Sequence, residues 1–145
     1  DGMSKGNTYE NDLLLLIFNA TAIPNIADNA ASSPLTSLYV SLHTADPGEA
    51  GTQTTSECAY GSYARVAVAR SGSGWTVSGN TATNAALIQF PQCSSGSETV
   101  TYFAVGTAAS STGKVLYKGA LSSSLAVSSG IQPQFASGDL DISED

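Results

Sequence analysis

The chain has 145 residues, room for one domain, with a net charge of −7 and only 12% charged residues. Five Lys+Arg against twelve Asp+Glu leave no basic stripe to displace counterions, which argues against a nucleic-acid binder. Its 22 Ser, 14 Thr and 14 Gly make about a third of the chain small and turn-friendly, which points away from a helical protein and toward a Ser/Thr-rich all-β domain.

No apolar run reaches the roughly 18 residues of a membrane span. Asp1 and Gly2 precede Met3 and read as the remnant of a cleaved tag, so residues 3–145 are expected to be the single domain. The apolar run Leu13, Leu14, Leu15, Leu16, Ile17 and Phe18 is too short for a secretory signal and lacks a basic flank and a cleavage site.

One segment reads as a helix, over about residues 8–20. Asn7 or Thr8 is its expected cap, and Asn7 followed by Glu10 has capping-box spacing. Glu10 and Asp12 fall where the helix dipole favours anions. Six consecutive apolar residues cover every side of a helix, whereas a surface helix shows a stripe, so burial on more than one side is expected. Two coverings stay open: the chain's own domain or a partner subunit. A buried strand is the alternative reading of the same run.

From Ser37 onward the pattern is β. Leu38, Val40 and Leu42 alternate with Tyr39, Ser41 and His43. Asp46-Pro47-Gly48-Glu49 has type I turn chemistry, and a polar loop follows to Glu57. Residues 63–70 read as a strand, with Ala64, Val66 and Val68 on one face. Residues 71–74 turn, residues 75–78 begin a strand, and residues 85–90 form another that Pro91 stops. Residues 99–106, 114–121, 125–128 and 131–135 follow at short spacing, with Pro133 confining the last to an edge or a bulge. The terminal run from Asp139 alternates acid with apolar and reads as a last strand with one wet face. These short strands between turn signals form the pattern of a sandwich or small barrel.

Candidate chemistry is sparse. His43 is the only histidine, and Asp46 and Glu49 follow it, so a metal or acid–base site is imaginable. An edge histidine bonded to its own loop is the simpler reading. A small hydrolase using His43 is the remote functional alternative. Cys58 and Cys93 lack C-x-x-C spacing and cannot build a four-ligand zinc site. Both sit at expected strand ends, so a disulfide is open to them, although free thiols are the default without an export signal. No nucleophile elbow, phosphate loop or EF-hand pattern is present. Trp75 and the six tyrosines could form a sugar-stacking platform, but most aromatics in such a domain are core. Asn19-Ala20-Thr21 matches the glycosylation sequon and reads as chance. No catalytic, metal or cofactor residue is assigned.

The stretches Met3-Ser4-Lys5-Gly6-Asn7-Thr8, followed by Glu10-Asn11-Asp12-Leu13-Leu14, and Leu38-Tyr39-Val40-Ser41-Leu42-His43-Thr44-Ala45-Asp46-Pro47-Gly48 carry a resemblance. So do Tyr63-Ala64-Arg65-Val66, Gly74-Trp75-Thr76-Val77 and Phe103-Ala104-Val105-Gly106-Thr107-Ala108. Together they resemble a family of small structural proteins of tailed bacteriophages and prophages, over nearly the whole chain. The resemblance implies a virion role without chemistry. Such proteins are described as tail-fibre or minor tail proteins, and some small β-sandwich phage proteins are cement proteins on the capsid exterior.

The expected fold is therefore an all-β, jelly-roll-like antiparallel β-sandwich with one N-terminal helix. The first functional expectation is a capsid decoration protein made in the host cytoplasm and placed on the outer surface of the head. Its partners would be the major capsid protein and itself, as a homodimer or homotrimer, with no nucleic acid and no membrane. The alternative is a tail-fibre or minor tail component bound to tail proteins, touching a host glycan through Trp75 and nearby tyrosines. Expected interface residues are Leu13, Leu14, Leu15, Leu16, Ile17 and Phe18 on the helix, for their excess apolarity. His43, Asp46 and Glu49 join them on the loop that runs to Glu57, since long loops on rigid scaffolds tend to carry contacts.

Overall fold

A computed structural model describes residues 4–30 and 33–145. The expected tag remnant at residues 1–2 lies outside them. The described chain holds one helix, α1 (Asn7–Asn19), and nine strands: β1 (Ser37–His43), β2 (Val66–Ala69), β3 (Trp75–Ser78), β4 (Thr81–Asn84), β5 (Ile88–Gln89), β6 (Ser97–Gly106), β7 (Val115–Ser128), β8 (Gln134–Phe135) and β9 (Asp141–Ser143). The strands form sheets ordered β2-β1-β6-β7, β3-β4-β9 and β5-β8. This is an all-β chain with one N-terminal helix, as its composition and spacing suggest. A jelly roll winds its strands into two sheets through two Greek keys; here the sheets have four, three and two strands.

The chain divides into two compact units. The first takes the described residues up to Ser37, together with Val68–Ile88 and Phe135–Asp145. The second takes Leu38–Ala67 and Gln89–Gln134.

In the first unit, α1 lies along the β3–β4 hairpin. Asn7 and Thr8 do not cap it. Gly6 is the N-cap, in extended conformation and with no side-chain bond, and the Glu10 N–H reaches the Gly6 carbonyl at 3.0 Å. Glycine is acceptable there because it has no side chain to obstruct the entering chain. Leu14 and Phe18 are fully buried, and Glu10 continues their stripe, at the i, i+4 spacing of one helix face. Leu13, Leu15, Leu16 and Ile17 are half-buried. Phe18 meets Trp75 edge-to-face, with ring centroids 4.7 Å apart and planes at 61°, a favoured geometry for two aromatic quadrupoles. Asn19 Nδ2 donates to the Trp75 carbonyl and Asn11 Nδ2 to that of Gly79. Trp75 is therefore core and cannot itself stack on a sugar, which removes it from the alternative glycan platform of Trp75 and the tyrosines.

The C-terminal end of α1 is closed by two devices. Ala20 adopts the left-handed conformation, φ 54°, and the Thr21 N–H returns to the Leu15 carbonyl at 3.1 Å. Arg70 then supplies donors to carbonyls that the helix itself leaves unpaired. Its Nε donates to Ile17 O at 2.8 Å, and one terminal nitrogen donates to Leu16 O at 2.7 Å and to Asn29 Oδ1 at 3.0 Å. The other donates to Leu35 O at 2.6 Å. The guanidinium thus sits at the negative end of the helix dipole, where a cation is favoured.

The β3–β4 hairpin turns through Gly79, whose φ of +58° suits the first loop position of a two-residue hairpin. β4 is a strand that the sequence pattern does not announce, because Thr81, Thr83 and Asn84 are polar. Ala82 and Asn84 nonetheless face inward. The Asn84 amide donates to Ala86 O and Ala136 O and accepts from the Leu140 N–H. A buried amide that satisfies this many groups fixes both loops it touches. The expected terminal strand forms as β9, with Ile142 buried opposite Ala82 and acid outside.

In the second unit, β1 pairs antiparallel with β6, Val40 opposite Val105 and His43 opposite Tyr102. Leu38, Val40 and Leu42 are buried, as their alternation demands. Ser41 and His43, on the other face, are fully buried as well. Alternation fails at that end because residues 44–58 cover the second face. β1 is an inner strand of its sheet, so His43 is not an edge histidine. Other expected strands change length: residues 63–70 shorten to β2, residues 85–90 to β5 and residues 131–135 to β8, while residues 114–121 and 125–128 merge into β7.

Replacing Arg70 by Met removes the guanidinium donors to Leu16 O and Ile17 O at the end of α1. We expect a loss of about 2 kcal/mol in urea unfolding followed by fluorescence of Trp75, the single tryptophan. Arg70→Lys should recover only part of it, because an ammonium cannot fork across four acceptors.

Candidate functional site

In the second unit, residues 44–58, the first part of the β1–β2 connection (44–65), follow the C-terminal end of β1 beside the β6–β7 connection at residues 107–114. The expected contact loop is here, and its chemistry begins beneath the surface. Glu57 and Arg65 form a two-point pair: Nε to Oε2 at 2.8 Å and a terminal nitrogen to Oε1 at 2.9 Å. The Arg65 side chain is 3% exposed and that of Glu57 13%. The same guanidinium donates to Ala108 O at 2.9 Å and Ser111 O at 2.6 Å. Tyr63 Oη donates to Glu57 Oε2 at 2.6 Å and accepts the Leu42 N–H at 3.1 Å. Burial, and then the Glu57 carboxylate beside it, pushes the Tyr63 phenol far above its ordinary range. The same carboxylate raises Arg65. One ion pair therefore ties β1, the 44–58 loop, the segment before β2 and the 107–114 loop together.

Gln53 is the second tie. It is fully buried. Its Nε2 donates to Ala108 O at 3.2 Å, its Oε1 accepts the Ala108 N–H at 3.0 Å, and its own N–H reaches Thr112 O at 2.8 Å. Glycine is required at two neighbours: a Cβ on Gly106 or Gly113 would stand about 2 Å from the Gln53 amide.

His43 is the third. Nδ1 lies 2.8 Å from the Thr55 carbonyl and Nε2 2.8 Å from Ser41 Oγ. A carbonyl can only accept, so Nδ1 carries the proton and Nε2 accepts from the hydroxyl. Desolvation pulls the His43 pKa below its ordinary value, so the ring stays neutral. With both nitrogens engaged and no exposed atom, His43 supports the loop from beneath. It offers no base to a substrate and no surface to a partner.

Asp46 and Glu49 remain at the surface. The hydrogen-bonded turn falls two residues later than expected, from Gly48 O to the Gly51 N–H at 3.2 Å. Asp46 Oδ1 accepts the Gly48 N–H at 2.9 Å and meets Lys118 Nζ at 3.0 Å. The Gly48 N–H and then Lys118 hold its carboxyl below the ordinary range. Lys118 also pairs with Glu49 at 3.3 Å. Beside them a cleft of about 300 Å³ is lined by Gly48, Glu49, Gly51 and residues 115–118 of β7.

Cys58 and Cys93 are both buried and both free. Burial, and then Glu98 and Glu57, pushes the Cys58 thiol up to about 12, so it holds its proton at neutral pH. Cys93 Sγ donates to the Ser95 carbonyl at 3.2 Å. Among the described residues no group of three or more His, Cys, Asp and Glu is arranged to hold a metal ion. No described helix is long and apolar enough to cross a membrane.

Sequence reasoning did not find Gln53, Glu57 or Arg65. One signal was available. The chain has two arginines, Arg65 and Arg70, against twelve acids. So few guanidinium groups in an acidic chain suit buried forked pairing, for which lysine is a poor substitute.

The family model described as Podophage GP4 fiber I protein gp80 matches residues 5–143, from the residue before the Gly6 cap to the end of β9. No curated protein matches the chain.

Two outcomes follow from this geometry. Arg65→Met leaves the Glu57 carboxylate desolvated and unpaired, at a cost of about 3 kcal/mol. Glu57→Gln/Arg65→Met should cost less than the two single changes added together, in a double-mutant cycle of urea unfolding. For His43, the folded pKa lies below the ordinary 6.5, so the unfolded chain takes the proton first as pH falls. Stability is then full above about pH 6.5 and declines below it. His43→Gln, less stable by about 1–3 kcal/mol at pH 8, should show a flatter urea midpoint between about pH 7 and pH 5.

Proposed function

The chain belongs to the family described as Podophage GP4 fiber I protein gp80, and on that premise we propose that it is a structural subunit of a tail fibre of a podophage virion, working by protein contact and not by catalysis. The observation that carries this reading is the family match over residues 5–143, nearly the whole chain. The fibre description supports the tail over the head. It supports tail and other virion proteins as partners, in place of the major capsid protein expected of a decoration protein.

The site geometry agrees in kind. The groups that would do chemistry are spent on structure: His43 on Ser41 and Thr55, Arg65 on Glu57, Gln53 on Ala108. What remains outside is small, polar and rigidly backed, with Thr44, Asp46, Glu49, Thr54 and Ser110 exposed. Loops held on such a platform present a fixed shape at low entropic cost, which is what a contact surface requires. Of the expected interface residues, Asp46 and Glu49 reach a partner directly. On α1, half-buried Leu13, Leu15, Leu16 and Ile17 are the contact residues, with buried Leu14 and Phe18 fixing the helix from inside.

Gold-labelled antibody against this chain, read on intact parent virions by electron microscopy, tests the reading. Label at the fibres of the tail is the expected result. Label spread evenly over the head would overturn it and restore the decoration role.

A further inference from the structure

α1 has two apolar sides. Leu14 and Phe18, in line with Glu10, form the buried stripe against the β3–β4 hairpin. A second stripe, Tyr9, Leu13 and Leu16, runs at i, i+4 and i+7, the repeat of a single helix face. Each residue turns about 100° around a helix, which sets this stripe well away from the first. It stays open: Tyr9 is 45% exposed, and Leu13 and Leu16 are only half-buried. The apolar surface continues at the helix end. One terminal nitrogen of Arg70 takes the Leu16 carbonyl and the other takes that of Leu35, which brings Leu35 beside Leu16. Leu35 is 43% exposed. Scattered exposed apolar residues need no explanation, but a joined set on one helix marks a contact surface. The backing is firm, because Phe18 is packed on Trp75 and Arg70 closes the helix end.

Charge decides what lies against this face. Among the described residues the first unit holds seven acids against two cations, Lys5 and Arg70, whereas the second holds four acids against three cations. Both cations of the first unit are already engaged. Lys5 is held by Glu144 and by the Asp145 carbonyl, and Arg70 gives its donors to the end of α1, Leu35 and Asn29. Asp12 borders the open stripe, three residues after Tyr9 and four before Leu16, and Asp28 is exposed in the loop that follows α1. A second copy would bring the same uncompensated acid to the contact, and like charges brought face to face suppress a pairing. A basic partner meets no such penalty.

We propose that the open face of α1, Tyr9, Leu13 and Leu16 with Leu35, docks on a different protein of the virion, in an apolar groove rimmed by lysine or arginine. A helix laid in a groove by one apolar stripe is a recurring mode of recognition. The stripe supplies the buried area, and the acids around it supply orientation and speed of encounter. This docking takes its location from the fibre reading above and its chemistry from the helix face and the charge balance.

Virions grown without this chain, through a nonsense mutation in its gene, are the probe. Purified full chain is added back, and bound copies are counted by immunogold electron microscopy. Wild type should rebind at the tail, about tenfold less at about 0.5 M salt than at about 0.05 M. Tyr9→Ser/Leu35→Ser changes two exposed positions, so urea unfolding followed by Trp75 fluorescence should stay as in wild type. Its rebinding should fall about tenfold or more. Asp12→Lys/Asp28→Lys should lose about as much at low salt and much less at high salt. Rebinding of both double variants at the wild-type level would overturn the proposal, as would a wild type that does not rebind. So would a wild-type dimer in sedimentation velocity that Tyr9→Ser/Leu35→Ser disperses, because a second copy would then be the occupant. Rebinding at the head that both variants lose would overturn the fibre reading and leave the docking face standing.

Discussion

The two-point contact between Arg65 and Glu57 is the interaction on which the loop end of the second unit depends. Removing one charge would strand the other at a site that water barely reaches, so neither residue is independently replaceable. The guanidinium offers more donors than one carboxylate can use, and the surplus is spent on Ala108 O and Ser111 O. The carboxylate in turn holds Tyr63, whose oxygen takes the Leu42 N–H. A chain rich in Ser, Thr and Gly has little apolar surface with which to pin long loops. Charge-assisted bonds to backbone carbonyls supply the order instead.

Arg70 repeats this logic in the first unit, without a carboxylate. Its acceptors are the last carbonyls of α1, the Leu35 carbonyl and the Asn29 amide oxygen. Both arginines are thus internal clamps. The three lysines pair at the surface or stand exposed, with Lys5 held at Glu144 and Lys118 between Asp46 and Glu49. Of the acids in excess, Asp28, Asp139, Asp141 and Asp145 are exposed while Glu10 is buried, and an exposed acidic majority suits a protein that must stay dispersed until it assembles.

Burial reassigns the residues that looked most like chemistry. A lone histidine followed by two acids suggests a site, but His43 lies where loop residues cover the second face of the β1 sheet. Trp75 looks like a stacking platform, but α1 lies over it and Phe18 meets its ring. Neither outcome follows from local pattern, since each depends on what distant segments place on top. What is left at the surface of the 44–58 loop is small and polar, with Thr44, Asp46, Glu49 and Thr54 exposed.

Local physics determined a good deal from the sequence alone. The helix, the buried alternation of Leu38, Val40 and Leu42, the terminal strand around Ile142 and the turn-punctuated β spacing were all legible. Apolar periodicity and turn chemistry act between near neighbours, and resemblance to phage structural proteins followed from short motifs in the same way. Tertiary structure alone decided the rest. β4 is a strand because Asn84 serves two loops, although its own residues are polar. Gly6 caps α1 where Asn7 was expected. Residues 63–65 leave the strand that their pattern suggests, because Arg65 turns to Glu57 and Tyr63 to Leu42. Glu57 reads as loop acid until its partner, eight residues away, is seen beside it with Ala108 and Ser111. Partners so far apart in sequence leave no periodic trace, because what selects them is the cost of burying a charge, which exists only once the chain has closed around it.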